Sequence, residues 1–367
     1  MSFAARIVAW QRAHGRHDLP WQAGRDAYRV WLSEVMLQQT QVATVLPYFA
    51  RFVGEFPTVD ALATAPLSRV LALWSGLGYY RRAHHLHAAA RIVVERHGGR
   101  FPGDAASLAT LPGIGRSTAA AIAAFTSGER GAILDGNVKR VLARHRGIDG
   151  WSGQPQVSAR LWRNAEALLP GADDCVRDRA VVGDYTQGMM DLGATICIRA
   201  RPRCDACPVA DDCVAHRESR VDALPSPRPR KALPQRAVIL LLLERDHAFL
   251  FERRPAVGIW GGLWSLPEVG VDRDAVSADI DATVRAAIRG RFGIANGPCE
   301  RLPSLMHAFT HFALTMHPVR VVLDAPLHAM QPGALEWLTA DAAIDAGLPS
   351  PIRRLIRSLD VKAEAAA

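Results

Sequence analysis

The stretch Leu111-Pro-Gly-Ile-Gly-Arg-Ser-Thr118 is the part of the chain that says most about its fold. Gly113 and Gly115 carry no side chain, so their backbone amides can approach an anion that a side chain would keep away. A helix is predicted to start at Arg116 or Ser117 and to point the positive end of its dipole at that anion. The pattern predicts a clamp for a phosphate backbone, although an ordinary Pro-Gly turn between two helices would have a similar local sequence.

A second stretch, Ile133-Leu-Asp-Gly-Asn-Val-Lys-Arg140, lies beyond the helix that follows this hairpin. Its Asp135 stands in a Gly-Asn turn context. Such a turn could present the carboxylate to whatever the hairpin holds.

Length and charge set the broad class of the protein. A chain of 367 residues is too long for one ordinary core, so we expect two domains and a connector. The formal net charge is +8 and the pI is near 9.6, which favours a polyanionic partner, although a mildly basic surface also occurs in proteins without one. We find no apolar run of about 18 residues and no secretory pattern at the start, so we expect a soluble, intracellular protein.

Four of the six cysteines lie close together, with the spacing C-x6-C-x2-C-x5-C: Cys197, Cys204, Cys207 and Cys213. In a reducing compartment, thiolates gathered in this way need a soft metal to neutralise their charge. Spacing alone does not separate a zinc ion from a [4Fe-4S] cluster. Cys175 and Cys299 stand alone and are expected to be ordinary core residues.

A carboxylate is predicted on an apolar helix face. The segment Tyr28 to Gln41 has helical periodicity, and Glu34 falls on the face that carries Trp31 and Val35. A carboxyl group held against apolar neighbours resists ionisation, so its pKa should rise to where it can donate a proton near neutral pH. The alternative is an exposed helix glutamate. Gln39, in the polar stretch at the end of this segment, suits a surface that contacts bases.

The stretch Trp74-Ser-Gly-Leu-Gly-Tyr-Tyr-Arg-Arg82 predicts a glycine-containing turn with two aromatic and two cationic side chains. A tyrosine can wedge into a base stack while an arginine holds the phosphates, as in enzymes that extrude a nucleotide from a duplex. A helix end capped by core aromatic residues is the alternative.

The hydrophobic periodicity changes along the chain. Residues 1–215 indicate an all-helical domain, with the hairpin at about 108–125, a cysteine loop at 197–213, and amphipathic helices over Leu62–Leu73, Ala83–Glu95 and Leu161–Leu168. Residues 216–236 are basic and proline-rich and predict an extended linker, either a plain tether or a segment that touches DNA. Residues 237–360 predict a small α/β domain with strands over Ala237–Leu243, Ala248–Phe251 and Val319–Leu323 and a helix over Asp281–Arg291. The tail 361–367 is expected to be disordered.

These motifs resemble the helix-hairpin-helix DNA glycosylase superfamily and, within it, the MutY family of adenine DNA glycosylases. The resemblance rests on the hairpin, the cysteine spacing and three further stretches: Trp31 to Gln41, Ile133 to Arg140 and Met189-Met-Asp-Leu-Gly-Ala194. It implies an all-α helix-hairpin-helix glycosylase domain with an iron-sulfur cluster loop, followed by a C-terminal α/β Nudix-like domain. It also implies that the four clustered cysteines bind one [4Fe-4S] cluster.

The resemblance implies a role for each matching residue. Glu34 would be the general acid, Asp135 would stabilise an oxocarbenium-like sugar, and Asn137 would help to orient these groups. The residues that would contact DNA are Gln39, Tyr79, Leu111, Gly113, Gly115, Ser117 and Lys139. Those that would line the base pocket are Trp21, Leu37, Val42 and Gln187.

Ser117 separates two chemistries. Relatives of the endonuclease III type carry a lysine at this place, whose amine attacks the sugar and leads to strand cleavage through a Schiff base. A hydroxyl group cannot form that iminium. The sequence therefore predicts a monofunctional glycosylase.

The C-terminal domain resembles the Nudix-related recognition domain of the family. Its helix around Val284 to Gly290 carries no acidic side chain to hold a divalent metal, so nucleotide hydrolysis is not expected. The stretch His307 to Phe312 resembles the family's 8-oxoguanine-sensing loop, with Phe309, Thr310 and His311 at the matching places. A strand with ordinary polar residues is the alternative.

The predicted substrate is double-stranded DNA with adenine opposite 8-oxoguanine or guanine. A pyrimidine-lesion or thymine-mismatch glycosylase on the same scaffold is the first alternative, and a non-catalytic, cluster-bearing DNA-binding or redox-sensing protein is the second. We expect a monomer associated with the nucleoid in the cytoplasm and away from membranes. The sequence identifies no protein partner.

Overall fold

A computed structural model describes residues 1–229, 232–271, 280–293, 298–323 and 334–364. The described residues form two compact units. Unit 1 comprises Met1–Thr64 and His85–Arg230, and unit 2 comprises Ala65–His84 and Lys231–Ala367. In these ranges no helix combines the length and the apolar character that crossing a bilayer requires.

The N-terminal part of the chain is helical, as the periodicity predicts. Its α-helices are α1 (Phe3–His14), α2 (Ala27–Leu37), α3 (Val42–Glu55), α4 (Val59–Thr64), α5 (Leu67–Trp74), α6 (Arg81–His97), α7 (Ala105–Leu108), α8 (Arg116–Thr126), α9 (Gly136–His145), α10 (Pro155–Ala167), α11 (Ala172–Arg177), α12 (Val181–Asp191) and α13 (Val214–Arg217). A short π-helical segment, Leu192–Ile196, continues α12.

Two helix predictions need correction. The single helix predicted over Leu62–Leu73 is two helices, because Pro66 lacks the N–H that a continuous helix would need and instead caps the start of α5. The helix predicted over Tyr28–Gln41 ends at Leu37. The polar residues after Leu37 therefore form the turn into α3.

The core of unit 1 is built from the apolar faces of α1, α8, α9, α10 and α12. Ile7, Leu142, Leu161 and Leu192 are fully buried there. Burial of such side chains stabilises a fold by about 1.5–3 kcal/mol each relative to exposure.

The first part of the predicted linker is not a free tether but is folded onto unit 1. Residues 214–217 form α13, and the segment after it packs against α9, where Arg144 Nε donates to the carbonyl oxygens of Val221 (2.9 Å) and Leu224 (2.8 Å). The backbone N–H of Gly150 donates to Ser226 Oγ at 3.0 Å. The first half of the linker is thus part of unit 1.

The C-terminal part is α/β, as predicted. Its elements are β1 (Gln235–Arg245), β2 (Ala248–Arg253), β3 (Trp264–Ser265), β4 (Glu268–Val271), α14 (Ile280–Phe292), β5 (Cys299–Arg301), β6 (Leu305–Ala308), β7 (Ala313–Val322), β8 (Leu335–Leu338), α15 (Ala340–Ala346) and α16 (Ser350–Glu364). The three predicted strands and the predicted helix between them correspond to β1, β2, β7 and α14. The tail prediction is wrong at its start, because α16 continues to Glu364; the remaining tail residues lie outside the described ranges.

The sheet of unit 2 is mixed. Strands run in the order β3-β2-β1-β7-β5, with β4 on β1, β6 on β7 and β8 on β2. Only the central pair β1 and β7 is parallel among the described strand pairs, with Ile239 opposite His317. Alternate β1 residues, Ile239, Leu241 and Leu243, pack with Val284 and Ile288 of α14.

Unit 2 also contains residues from the N-terminal half, namely α5 and the turn that follows it. This turn, residues 75–80, is called the Tyr79 loop below. Gly347 lies so close to α5 that an added Cβ would be 3.0 Å from Ala72 Cα. The sequence did not predict this division of the chain.

Candidate active site

A cavity of about 260 Å³ in unit 1 has Glu34 in its wall. Its lining mixes amide, aromatic and small side chains: Gln11, His17, Trp21, Gln22, Val30, Ser33, Glu34, Phe125, Gly183, Asp184 and Gln187. The Trp21 ring is buried and packs edge-on against Phe49, with 5.3 Å between ring centroids. A cavity of this composition fits a planar, hydrogen-bonding ligand.

Glu34 lies on the buried side of α2, as the periodicity predicts. Its neighbours in the helix, Ser33 and Val35, are buried. Burial, and secondly the charge of Asp135, raise the pKa of Glu34 from 4.5 to about 8. The side chain therefore holds a proton near neutral pH and can donate it into the cavity.

Asp135 lies at the start of α9 and is its N-cap residue, not a residue of a free Gly-Asn turn. Its Oδ1 accepts a hydrogen bond of 2.7 Å from the Val138 backbone N–H. Burial raises the pKa of Asp135, while this hydrogen bond and the positive charge of Arg140 act in the opposite direction. The helix N-terminus thus favours the anionic form of Asp135, whereas burial favours its protonated form.

Asn137 is held by a residue that the sequence analysis missed. Arg140 Nη2 donates to Asn137 Oδ1 (2.9 Å) and to the Gly193 carbonyl oxygen (2.7 Å), and its Nε donates to the Cys197 carbonyl oxygen (2.7 Å). A Cβ added to Gly193 would lie 2.5 Å from Asn137 Cβ, so glycine is needed for this packing. The spacing of three residues on one helix face between Asn137 and Arg140 is the signal that could have found this pair.

Gln187 is positioned by a buried ion pair that the sequence analysis also missed. Gln187 Nε2 donates to Asp191 Oδ1 at 2.8 Å, and Asp191 is fully buried. Arg16 satisfies the same carboxylate through its backbone N–H (2.9 Å) and its guanidinium (2.6 Å). A buried carboxylate with two donors is a rigid anchor, so the amide of Gln187 has a fixed orientation.

The other two residues predicted for the base pocket lie elsewhere. Leu37 ends α2 and Val42 begins α3, and neither is among the residues that line the Glu34 cavity. Their assignment to the pocket stays a prediction. Gln11, which was not predicted, is 3% exposed and lines the cavity; within the described ranges its Oε1 has no hydrogen-bond donor.

The hairpin has the geometry that its glycines predict. Gly113 has φ +79°, and a Cβ there would be 2.8 Å from His85 Cβ. Gly115 caps α8, which starts at Arg116 as predicted, and no atom lies within 4 Å of an added Cβ. Leu111 is buried and anchors the hairpin, so only its backbone is available to a ligand.

Ser117 and Gln38 tie the hairpin to its surroundings. Ser117 Oγ accepts from the Leu134 backbone N–H at 2.8 Å, directly before Asp135 in the chain. Gln38 Nε2 donates to the Gly113 carbonyl oxygen at 3.2 Å. Lys139 is a half-exposed cation on α9.

Gln39 and Tyr79 both have left-handed backbones, with φ +60° and +48°. Both are exposed, Tyr79 by 50%. Residues other than glycine seldom adopt this conformation, and it occurs at functional sites as well as in turns.

The rest of the Tyr79 loop is structural. Tyr80 is buried, and its hydroxyl accepts from the Gly76 backbone N–H at 3.1 Å. Arg82 is 8% exposed and donates to the carbonyl oxygens of Leu77 (3.4 Å) and Gly78 (3.2 Å), and burial lowers its pKa to about 10. The guanidinium of Arg82 therefore faces the loop itself, whereas the neighbouring Arg81 is exposed, and the prediction that an arginine of this stretch binds phosphate stays a prediction.

The four clustered cysteines line one pocket of about 30 Å³ beside α9. Arg144 Nη1 lies 3.4 Å from Cys197 Sγ and donates to the Ile198 carbonyl oxygen at 2.7 Å. Burial raises the pKa of Cys207 to about 12, and the neighbouring thiols add to this. No group of three or more metal-ligating side chains in the described ranges is arranged around a single ion.

Phe309 to Phe312 form the hairpin loop between β6 and β7. The rings of Phe309 and Phe312 stack with 4.6 Å between centroids, and Trp260 packs on Phe309 at 5.4 Å. Thr310 and His311 are exposed at the tip. The packed aromatic rings thus support a loop tip that exposes one hydroxyl group and one imidazole to solvent.

The comparisons with known proteins agree with this arrangement. Residues 32–167 match the model of the HhH-GPD superfamily of base excision DNA repair proteins, and residues 238–358 match that of the NUDIX domain. The adenine DNA glycosylase of Buchnera aphidicola (subsp. Acyrthosiphon pisum) is 33% identical over 97% of both chains. The human adenine DNA glycosylase is 32% identical over 97% of this chain and 73% of its own.

Among solved structures, a thermostable thymine-DNA glycosylase is similar in fold, with a TM-score of 0.51 and 28% identity over 59% of this chain and 95% of its own. The full-length similarity to the curated relatives and the two matched domains lead to one conclusion. The chain belongs to the adenine DNA glycosylase family, base excision repair enzymes built from an HhH-GPD domain and a C-terminal Nudix-like domain.

Proposed function

We propose that this DNA glycosylase removes adenine paired with 8-oxoguanine or guanine, by hydrolysing the N-glycosidic bond and leaving an abasic site. The observation that carries the proposal is the Glu34 carboxyl group in the wall of a ligand-sized cavity, where burial and the charge of a second carboxylate, Asp135, raise its pKa to about 8. A pair of carboxyl groups, one that donates a proton and one that stabilises the positive charge on the sugar, is the usual basis for glycoside hydrolysis.

The first step needs an acid. Adenine is a poor leaving group as an anion, so the Glu34 carboxyl donates its proton to the imidazole part of the purine as the bond to C1′ breaks. The bonding electrons leave with the base. General acid catalysis of this kind contributes about 10²–10⁴-fold to a rate.

The second step needs a negative charge. Loss of the base leaves an oxocarbenium-like sugar, which the Asp135 carboxylate stabilises by charge or by a transient covalent bond. Asn137, held by Arg140, and Gln187, held by Asp191, orient the reacting groups. A water molecule then adds to C1′ and loses a proton.

Ser117 makes the enzyme monofunctional. Its hydroxyl accepts a backbone hydrogen bond and cannot form an imine with the sugar. The product therefore keeps its phosphodiester bonds until base or another enzyme cleaves them.

Several surfaces would bind the duplex. The amides at Gly113 and Gly115 and the start of α8 suit one phosphate, with Lys139 as an additional cation. Gln39 and Tyr79 would enter the base stack. Phe309, Thr310 and His311 would contact 8-oxoguanine in the opposite strand, through stacking and through the exposed hydroxyl and imidazole.

Cys197, Cys204, Cys207 and Cys213 would hold one [4Fe-4S] cluster. Four thiols around one pocket are a donor set that fits such a cluster. The positive charge of the iron would favour the thiolate form of Cys207, which burial disfavours. When bound, the cluster would fix the loop to which Arg140 and Arg144 are hydrogen-bonded.

A set of duplexes tests the proposal. Duplexes with A opposite 8-oxoguanine, A opposite G, and T opposite G are incubated with the full chain and resolved with and without alkali. Breaks at adenine that require alkali support the proposal. The fold similarity to a thymine-DNA glycosylase makes thymine the second candidate base, and release from the T·G duplex alone would favour it. Glu34→Gln should abolish release, whereas Glu95→Gln, an exposed glutamate on α6, is the matched control.

A further inference from the structure

The Tyr79 loop is fastened to the C-terminal helix of the chain. Arg353 of α16 donates through Nη2 to Ser75 Oγ at 2.7 Å and to the Ile344 carbonyl oxygen at 3.3 Å. Its Nη1 donates to the Ser75 carbonyl oxygen at 3.5 Å. Ser75 Oγ donates in turn to the Leu348 carbonyl oxygen at 2.7 Å. One serine is thus held from both sides by residues more than 270 positions away.

The serine end of these bonds is shielded from water. Ser75 is 1% exposed and Leu348 is fully buried. A buried hydrogen bond to a charged donor contributes more than an exposed one, and its loss leaves the remaining partner unsatisfied. Arg353 therefore constrains the position at which α5 ends and the loop begins.

The constraint reaches Tyr79 through a short network. Trp74 Nε1 donates to the Gly78 carbonyl oxygen at 3.1 Å, and Arg82 donates to the carbonyl oxygens of Leu77 and Gly78. The loop has little freedom inside this network, and Tyr79 leaves it with a left-handed backbone and a half-exposed ring. The conformation of Tyr79 thus depends on the hydrogen bonds that hold residues 75–78.

We infer that Arg353 is a positioning residue for base extrusion, through which the C-terminal domain holds the Tyr79 loop in the shape that wedges into DNA. The inference rests on the proposed function for the role of Tyr79. It assigns to the C-terminal domain a part in extrusion that is separate from contact with 8-oxoguanine. Arg353 itself touches neither base nor sugar in this account.

The test compares Arg353→Met with Arg357→Met, an exposed arginine on the same helix. Single-turnover rates are measured on a fully paired A·8-oxoguanine duplex and on a substrate whose adenine is already unpaired. Arg353→Met should slow the paired duplex by roughly tenfold and the unpaired substrate by less than about twofold, because only extrusion is impaired. Arg357→Met should change neither rate.

A double-mutant cycle with Tyr79→Ala identifies the route. If Arg353 acts through Tyr79, the double variant should be no slower than Tyr79→Ala alone. Additive losses, or equal losses on both substrates, would overturn the inference. Ser75→Ala removes the same contact from the loop side and should reproduce the pattern, so it substitutes for Arg353→Met should that variant fail to fold.

A readout independent of activity separates this inference from the proposed function. Hydrogen exchange of the backbone amides of residues 75–80 should be faster in Arg353→Met than in the parent chain and unchanged in Arg357→Met. Unchanged exchange in Arg353→Met would contradict the inference even in an active enzyme. Faster exchange in a chain that releases no adenine would contradict only the proposed function.

Discussion

The carboxyl groups of Glu34 and Asp135 are electrostatically coupled. Burial is the main reason that the pKa of Glu34 rises to about 8, and the charge of Asp135 is the second. Asp135 in turn accepts a backbone hydrogen bond at the N-terminus of α9, which supports its anionic form. The charge of Asp135 thus favours the protonated form that Glu34 needs for glycosidic cleavage.

The first prediction concerns the pH dependence of activity. Glu34 must be protonated to act as an acid and Asp135 must be anionic, so kcat/KM should fall about tenfold per pH unit above the pKa near 8 and should fall again at acid pH, where Asp135 is protonated. Rates on an A·8-oxoguanine duplex between pH 6 and 10 check this. Glu95→Gln should keep that falling limb, and Glu34→Gln should show no release at any pH in this range. A parent profile that rises through pH 8 would exclude Glu34 as the acid.

The second prediction concerns stability. The pKa of Glu34 is higher in the folded chain than its ordinary 4.5, so the folded state binds more protons and stability falls as pH rises from 4.5 to about 8. Glu34→Gln removes this penalty and should raise the free energy of unfolding at pH 7.5 by up to about 4 kcal/mol. Thermal melts of both chains at pH 5 and 7.5 measure the difference, which should shrink at the lower pH. A variant less stable than the parent at pH 7.5 would contradict the assignment.

The third prediction concerns the cysteine pocket. Cys207→Ser should lose iron, acid-labile sulfide and visible absorbance, because it removes one of four proposed ligands. Cys175→Ser, a cysteine outside the pocket, should keep them. Metal analysis of the purified parent chain decides between the two metals: one equivalent of zinc without sulfide would refute the cluster.

The fourth prediction concerns the choice of the opposite base. Thr310→Val keeps the shape of the exposed loop and removes its hydroxyl group, so it should reduce the preference for A·8-oxoguanine over A·G by on the order of tenfold while leaving the A·G rate unchanged. Thr315→Val on β7 is the matched control. Parallel loss on both duplexes would point to damage of the loop and not to recognition.

Much of the fold could be predicted because the signals are local. The start of α8 at Arg116 follows from a glycine and the helical period after it, and β1 follows from a run of aliphatic residues between two turns. Glu34 could be placed on a buried face for the same reason. Each of these inferences needs only residues within a few helical turns of one another.

The sequence by itself determined the two domain types, the position of Glu34 on the buried side of α2, and the four-cysteine loop. Tertiary structure alone decided that Arg140 donates hydrogen bonds to both Asn137 and Gly193. It also decided that Arg82 faces its own loop and that residues 65–84 pack with the C-terminal unit. The physical reason is the distance along the chain between the residues that interact. A helix or strand pattern is set by neighbours along the chain, whereas the partner of a buried polar group, such as Ser75 with Arg353, is chosen by three-dimensional packing.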